Sequence, residues 1–199
     1  ILLAAGCGGP SSEPAVVEAG DAAQGAVAEP LAPAAVEPSE TTAAGDQPVV
    51  HLIEPGPDAQ QQAQEAMILA EPGDVIEFAA GSFAFDATLS LDGVADVVIR
   101  GQGMDETILS FAGQRAATGG EGLKIKADNF VIEDLTIEDS PGDAIKLQDS
   151  NGVVMRRIRT RWTNGPDENN GAYGLYPVLS TNVLIEDCVA ECASDAGIY

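Results

Sequence analysis

The sequence predicts an all-β chain wound into a parallel β-solenoid, three strands per coil, with one α-helix capping its N-terminal end. Three observations carry this. First, Val97-Val98-Ile99, Phe130-Val131-Ile132, Val153-Val154-Met155 and Val183-Leu184-Ile185 recur as equivalent short apolar runs. Second, Leu135-Thr136-Ile137, Ile158-Arg159-Thr160 and Cys188-Val189-Ala190 each begin five residues after Phe130, Val153 and Val183, and a third run closes each unit at Leu123-Lys124-Ile125, Ile145-Lys146-Leu147, Leu175-Tyr176-Pro177 and Ile198-Tyr199. Third, the residue before each first run is Asp96, Asn129, Gly152 or Asn182. Those types tolerate the left-handed backbone that a coil corner needs. Short strands on a basic period of about 22 residues, with insertions, are how a stacked solenoid reads.

The ends of the chain read differently. "ILLAAGCGG" is a short apolar run ending in small residues before Cys7, as at the end of a secretory signal. Ala4-Ala5-Gly6-Cys7 resembles a bacterial lipobox, although leucine is more usual three residues before the cysteine. That resemblance implies lipidation at Cys7 and a membrane partner through that anchor. It also implies export to the periplasm or cell surface, and Gly8 after the cysteine favours a Gram-negative outer membrane. Residues 8–48 are rich in Ala, Pro, Glu and Gly and hold no Lys or Arg, so a disordered tether is expected there. No apolar run approaches the roughly 20 residues that span a bilayer. The β-helix domain is placed at 49–199. It stops on a strand at Tyr199 without a polar cap, so the sequence is expected to be a piece at both ends.

The cap is expected from "AQQQAQEAMILA", which sets Ala63, Ala66, Met67 and Ala70 on one helical face. Asp58 followed by Gln61 resembles a capping box, and Glu71-Pro72-Gly73 ends the helix.

Charge narrows the partners. The formal net charge is −23, and all nine Lys and Arg lie between Arg100 and Arg161. Nucleic acid is excluded as a general partner, because phosphate binding needs a basic footprint. The basic run "VVMRRIRTRW" is explained by register instead. Equivalent positions read Arg100, Glu133, Arg156, Glu186, then Gly101, Asp134, Arg157, Asp187, then Glu138, Arg161, Glu191. Arg156, Arg157 and Arg161 are thus expected between acids in neighbouring coils, which leaves Arg159 and Trp162 free to meet a ligand.

"GQGMDETILSFAGQ", "NGAYGLYPV" and "SDAGIY" together resemble bacterial right-handed parallel β-helix repeat lipoproteins of the pectate-lyase-like superfold. The stretch "QQAQEAMILAEPGDVIEFAAGSFAF" resembles the N-terminal cap of such proteins. The resemblance implies fold and export; the biochemical role of that group is not established.

Chemistry is limited by what is scarce. His51 is the sole histidine, so a Ser-His-Asp triad or a histidine-rich metal centre is not expected. "GQGMDE" lacks the last glycine of a dinucleotide fingerprint, and Cys188 aligns with the core positions Leu135 and Ile158. The three cysteines make no disulfide framework. The third strands are the informative surface. Leu123, Ile145, Leu175 and Ile198 point inward, and Lys124, Lys146, Tyr176 and Tyr199 follow them outward, with Glu121, Asp143 and Asp195 just ahead. The insertion "RWTNGPDENNGAY" adds Trp162, Asp167 and Glu168 nearby. Aromatic faces suit sugar rings and lysines suit uronate carboxylates. The substrate-binding candidates are therefore Lys124, Lys146, Arg159, Trp162, Tyr176 and Tyr199. By resemblance to β-helix enzymes of acidic polysaccharides, lyase or C5-epimerase chemistry on a uronate polymer would draw on Lys146, Tyr176, Asp143 and Asp195 as acid, base or Ca²⁺ ligands. A polysaccharide is the expected partner. A non-catalytic envelope scaffold is the third reading.

Overall fold

The computed structural model describes residues 48–115 and 120–199. The lipobox around Cys7 and the tether up to residue 47 lie outside the described residues. Among the described residues the chain opens with β1 (Val50–Ile53) and α1 (Ala59–Leu69). Five coils follow. The first holds β2 (Val75–Phe78), β3 (Gly81–Ala84) and β4 (Leu89–Asp92), and the second β5 (Val98–Arg100), β6 (Thr107–Ser110) and β7 (Leu123–Lys126). The third holds β8 (Val131–Glu138) and β9 (Ile145–Gln148), and the fourth β10 (Asn151–Arg161) and β11 (Tyr173–Val178). The fifth holds β12 (Thr181–Glu186), β13 (Val189–Glu191) and β14 (Ala196–Ile198). In the third and fourth coils one long strand bends round the first corner and serves two faces.

All pairing is parallel. The first face runs β1, β2, β5, β8, β10, β12, and the third runs β4, β7, β9, β11, β14. The second face joins β3, β6, the later halves of β8 and β10, and β13. Strands β3 and β6 were not read from the sequence as second strands. In the second coil a turn at 101–106 precedes the second strand, and in the first coil Ala79 and Ala80 shift it, which breaks the five-residue spacing that reveals the later coils.

Register stacks like on like. Ile76, Ile99, Ile132, Met155 and Ile185 form one inward column, and Leu89, Leu123, Ile145, Leu175 and Ile198 another. Most of these side chains are fully buried. Full burial of an aliphatic side chain is worth about 1.5–3 kcal/mol, so each column supplies several such increments. Phe78, Phe83, Phe85 and Phe111 pack together in the core of the first two coils, with neighbouring ring centroids 5.3 to 6.5 Å apart. Cys188 is buried as a core residue of the fifth coil, with Sγ 3.5 Å from the Met155 carbonyl.

The corners behave as the side-chain types imply. Asp96, Asn129, Gly152 and Asn182 all take positive φ, between 49° and 75°. A second set of corners was read only as a charge ladder: Asp134, Arg157 and Asp187 also have φ of 50° to 60°. Gly101 holds the equivalent place, where a Cβ would come within 2.3 Å of the Asp134 carbonyl oxygen.

The arginine ladders form with one change. Arg156 Nε donates to Glu133 (2.6 Å), Arg157 bonds Asp134 (2.7 and 2.8 Å) and Glu133 (2.8 Å), and Arg161 Nε bonds Glu138 (2.7 Å). Each turns to the acid in the preceding coil rather than sitting between two. These pairs are part-exposed, so each is worth about 0.2–1 kcal/mol and acts on register more than on bulk stability.

The cap works through amide groups. Ala59, Ala63, Ala66 and Met67 face the core. Gln60 bonds Asp86, and Gln64 both accepts from and donates to the Ser90 backbone (2.9 Å each way). These side chains satisfy the edge of β4, where no earlier strand is paired. Asp58 stands at the helix start, but its side chain makes no capping bond, so the capping box suggested by Gln61 does not form.

Asp74 ties the first strands together. Its carboxylate accepts from Val49 N (2.9 Å), Glu71 N (3.0 Å) and His51 Nε2 (3.1 Å). The Glu71 N–H holds its pKa below the usual carboxylate value, with Val49 and His51 adding and burial opposing. A lowered folded pKa contributes stability above the unfolded value of about 4, and that stability is lost as pH falls through the lowered one. Asp74→Ala should therefore reduce the unfolding free energy by about 2–3 kcal/mol at neutral pH, read from urea titrations. The gap between variant and wild type should close as the pH is taken below about 4.

Candidate functional site

The third face carries most of the candidate residues. Ser90, Lys124, Lys146 and Tyr176 are register partners on successive strands, so their side chains line one outward row, about 4.8 Å per rung. Tyr199 follows β14 and donates its N–H to the Leu175 carbonyl (3.2 Å), which sets it on the next rung. The row expected from the sequence, two lysines then two tyrosines, is thus assembled.

A third tyrosine joins it. Tyr173 and Tyr176 have ring centroids 4.4 Å apart, and Tyr173 and Tyr199 are stacked at 5.0 Å with planes 20° apart. Tyr176 and Tyr199 close the triangle at 5.7 Å. Sequence reasoning missed Tyr173, although the signal was present. It stands two residues before Leu175, as Asp143 stands two before Ile145.

Acids border the aromatic group. Lys146 Nζ lies 3.6 Å from Glu121 Oε1, 3.7 Å from Asp143 Oδ2 and 5.6 Å from the Tyr176 ring centroid. The Asp143 side chain is only 12% exposed. Burial pushes its pKa above the usual carboxylate value and the Glu121 charge adds to that, while Lys146 and the Tyr173 backbone N–H oppose it. Asp195 stands beside Tyr173, its N–H donating to the Ala172 carbonyl (3.2 Å), and its carboxylate, with burial, pushes the Tyr173 phenol pKa up. Asp143, Lys146, Tyr176 and Asp195, the residues expected to carry chemistry, therefore meet in one neighbourhood with Glu121 and Tyr173.

Two expected binding residues sit elsewhere. Arg159 was read as lacking an acid; its Nη1 bonds Asp105 (2.6 Å) and its Nε is 3.9 Å from Glu191, both on the second face. Strand order hid Asp105, which lies in the turn before β6 rather than in a register column. Trp162 is 5% exposed and donates Nε1–H to the Ser140 carbonyl (2.7 Å). Both are committed to structure rather than free for a ligand. Lys124 remains on the face and exposed. Among the described residues no three His, Cys, Asp or Glu side chains gather as a metal-holding group. Glu121 and Asp143 supply a pair of oxygen donors whose neighbour is an ammonium.

Lys146 is the group that tempers Asp143. Replacing it with Met should raise the Asp143 pKa further, as followed by carboxyl-carbon NMR titration. An unchanged value would mean that Lys146 does not act on this carboxyl, and a fall would reverse the sign of its effect.

No protein-family model matches the chain, and no functionally curated protein matches it. Solved structures do. An alginate lyase from Paenibacillus sp. is 18% identical with a TM-score of 0.48, over 70% of this chain and 43% of that one. Pectin methylesterase PemA from Erwinia chrysanthemi is 11% identical with a TM-score of 0.45, over 73% of this chain and 56% of that one. A pectin methylesterase in complex with a hexasaccharide is 12% identical with a TM-score of 0.39, over 66% and 50%. The chain thus spans about half the length of each.

Proposed function

We propose that this protein binds a carbohydrate chain along its third face. The observation that carries the reading is the three-tyrosine group on β11 and after β14, continued by Lys146 and Lys124 on the preceding rungs. Sugar rings present C–H faces that lie on aromatic rings, and hydroxyls that meet carboxylates and ammonium groups at the edges. A row one rung apart suits a chain laid across the coils. Lipidation at Cys7 and an extracytoplasmic location belong to the same proposal and rest on the sequence "LAAGC" alone.

One observation favours a second reading, acid–base chemistry on the bound sugar. Asp143 is held above the ordinary carboxylate range beside Glu121, Lys146 and Tyr176, as a proton donor or acceptor in glycan cleavage or epimerisation would be. Product formation by the wild type that is lost in Asp143→Asn, with folding intact, is its signature. Silence across neutral, acidic and amino glycans removes it.

The binding reading is tested on a glycan array followed by calorimetry. The wild type should retain at least one glycan, and Tyr176→Ala should weaken it about tenfold, or roughly 1.4 kcal/mol. Retention of no glycan rejects the reading.

A further inference from the structure

The charges around the tyrosines select a ligand. A polyuronate needs cations opposite its carboxylates. Here the nearest cation, Lys146, is already flanked by Glu121 and Asp143 at 3.6 and 3.7 Å. Lys124 stands two rungs from Tyr176, about 10 Å away along the row. At the tyrosine end the charged neighbour is an acid. Asp195 lies beside Tyr173, its N–H on the Ala172 carbonyl (3.2 Å) and its neighbour Ala196 paired with Tyr173, and among the described residues no Lys or Arg forms an ion pair with it. The chain as a whole, at −23, repels a polyanion before contact.

The same features suit a cation. Aromatic faces attract ammonium groups, and a carboxylate at the ring edge strengthens the site. The protein displays this chemistry internally: Lys146 Nζ sits 5.6 Å from the Tyr176 centroid, between two carboxylates. Tyr173 and Tyr199, stacked at 5.0 Å beside Asp195, offer a similar setting that no protein ammonium is seen to fill among the described residues.

We propose that the third face takes a glycan bearing protonated amino groups, with an ammonium received by Tyr173, Tyr199 and Asp195. The inference rests on the carbohydrate-binding reading and fixes the charge of its ligand. It also sets the site against the acidic polymers that the sequence resemblance suggests.

The test compares three probes of equal length by calorimetry at mildly acidic pH: a short glucosamine oligosaccharide, its N-acetylated counterpart and an oligogalacturonate. The amino form should bind at least about tenfold tighter than the acetylated form, and the uronate weakest. Asp195→Asn and Tyr199→Ala should each weaken the amino form several-fold. Unchanged binding in both variants would assign the attraction to diffuse negative charge and overturn the proposal. Preference for the acetylated or uronate probe overturns it too, while leaving the carbohydrate-binding reading in place. If none of the three binds and the array is also silent, both fall together.

Discussion

Each coil hydrogen-bonds through its backbone only to the coils before and after it, in parallel register, and every other feature of this protein depends on that constraint. The pairing of Val154 with Val131 and of Leu175 with Ile145 makes position in the coil equivalent to position in a column. A column has one environment, so its residues share a character: aliphatic inside, acid against arginine in the corner ladders, lysine and tyrosine along the third face. A shift of one residue would turn Ile132 and Leu147 outward and expose the whole core. Packing and register therefore enforce each other.

The corners show what this costs. Arg157 holds φ at 50°, a conformation that side chains bearing a Cβ rarely adopt, and nothing in arginine favours it locally. Its guanidinium bonds both Asp134 oxygens and Glu133. Asp134 occupies the same left-handed place one coil earlier, and Arg157 holds its pKa below the usual carboxylate value. Charge pairing thus supports two residues in a backbone state that few side chains adopt. The basic run has no need of an acidic ligand, because its acids are the neighbouring rungs.

How much of this was legible follows from the same constraint. Columns with regular spacing could be read: Asp96, Asn129, Gly152 and Asn182 marked the first corners, and Lys124, Lys146 and Tyr176 marked the outer face. Features between columns could not. Arg159 meets Asp105 across 54 residues, through a turn with no counterpart in the other coils. Trp162 looked exposed because it opens a polar insertion, yet its indole is buried under Ser140. Strands β3 and β6 were hidden by turns of irregular length. Insertions are where sequence spacing stops reporting position in space. The tyrosine site was half legible for that reason, since Tyr173 ends the longest of them.

That insertion decides whether the site is rigid. Thr163 bonds both Asp139 oxygens (2.7 and 2.8 Å), and Asn170 Nδ2 bonds the Gly165 and Cys192 carbonyls (2.9 and 2.7 Å). Trp162 fixes the start of the loop from beneath. At its end Gly171 passes so close to the preceding coil that a Cβ would lie 1.7 Å from the Gly142 carbonyl oxygen, a contact open only to glycine. Tyr173 is then delivered in register, its carbonyl accepting from Ala144 N (2.9 Å). The ring reaches Tyr176 and Tyr199 with no backbone segment left to order. An aromatic surface held in this way loses little conformational entropy when a ligand settles on it, so a modest contact area can yield measurable affinity. The buried tryptophan and the squeezed glycine lie beneath the aromatic surface, and they are what hold three tyrosines from two coils together as one surface.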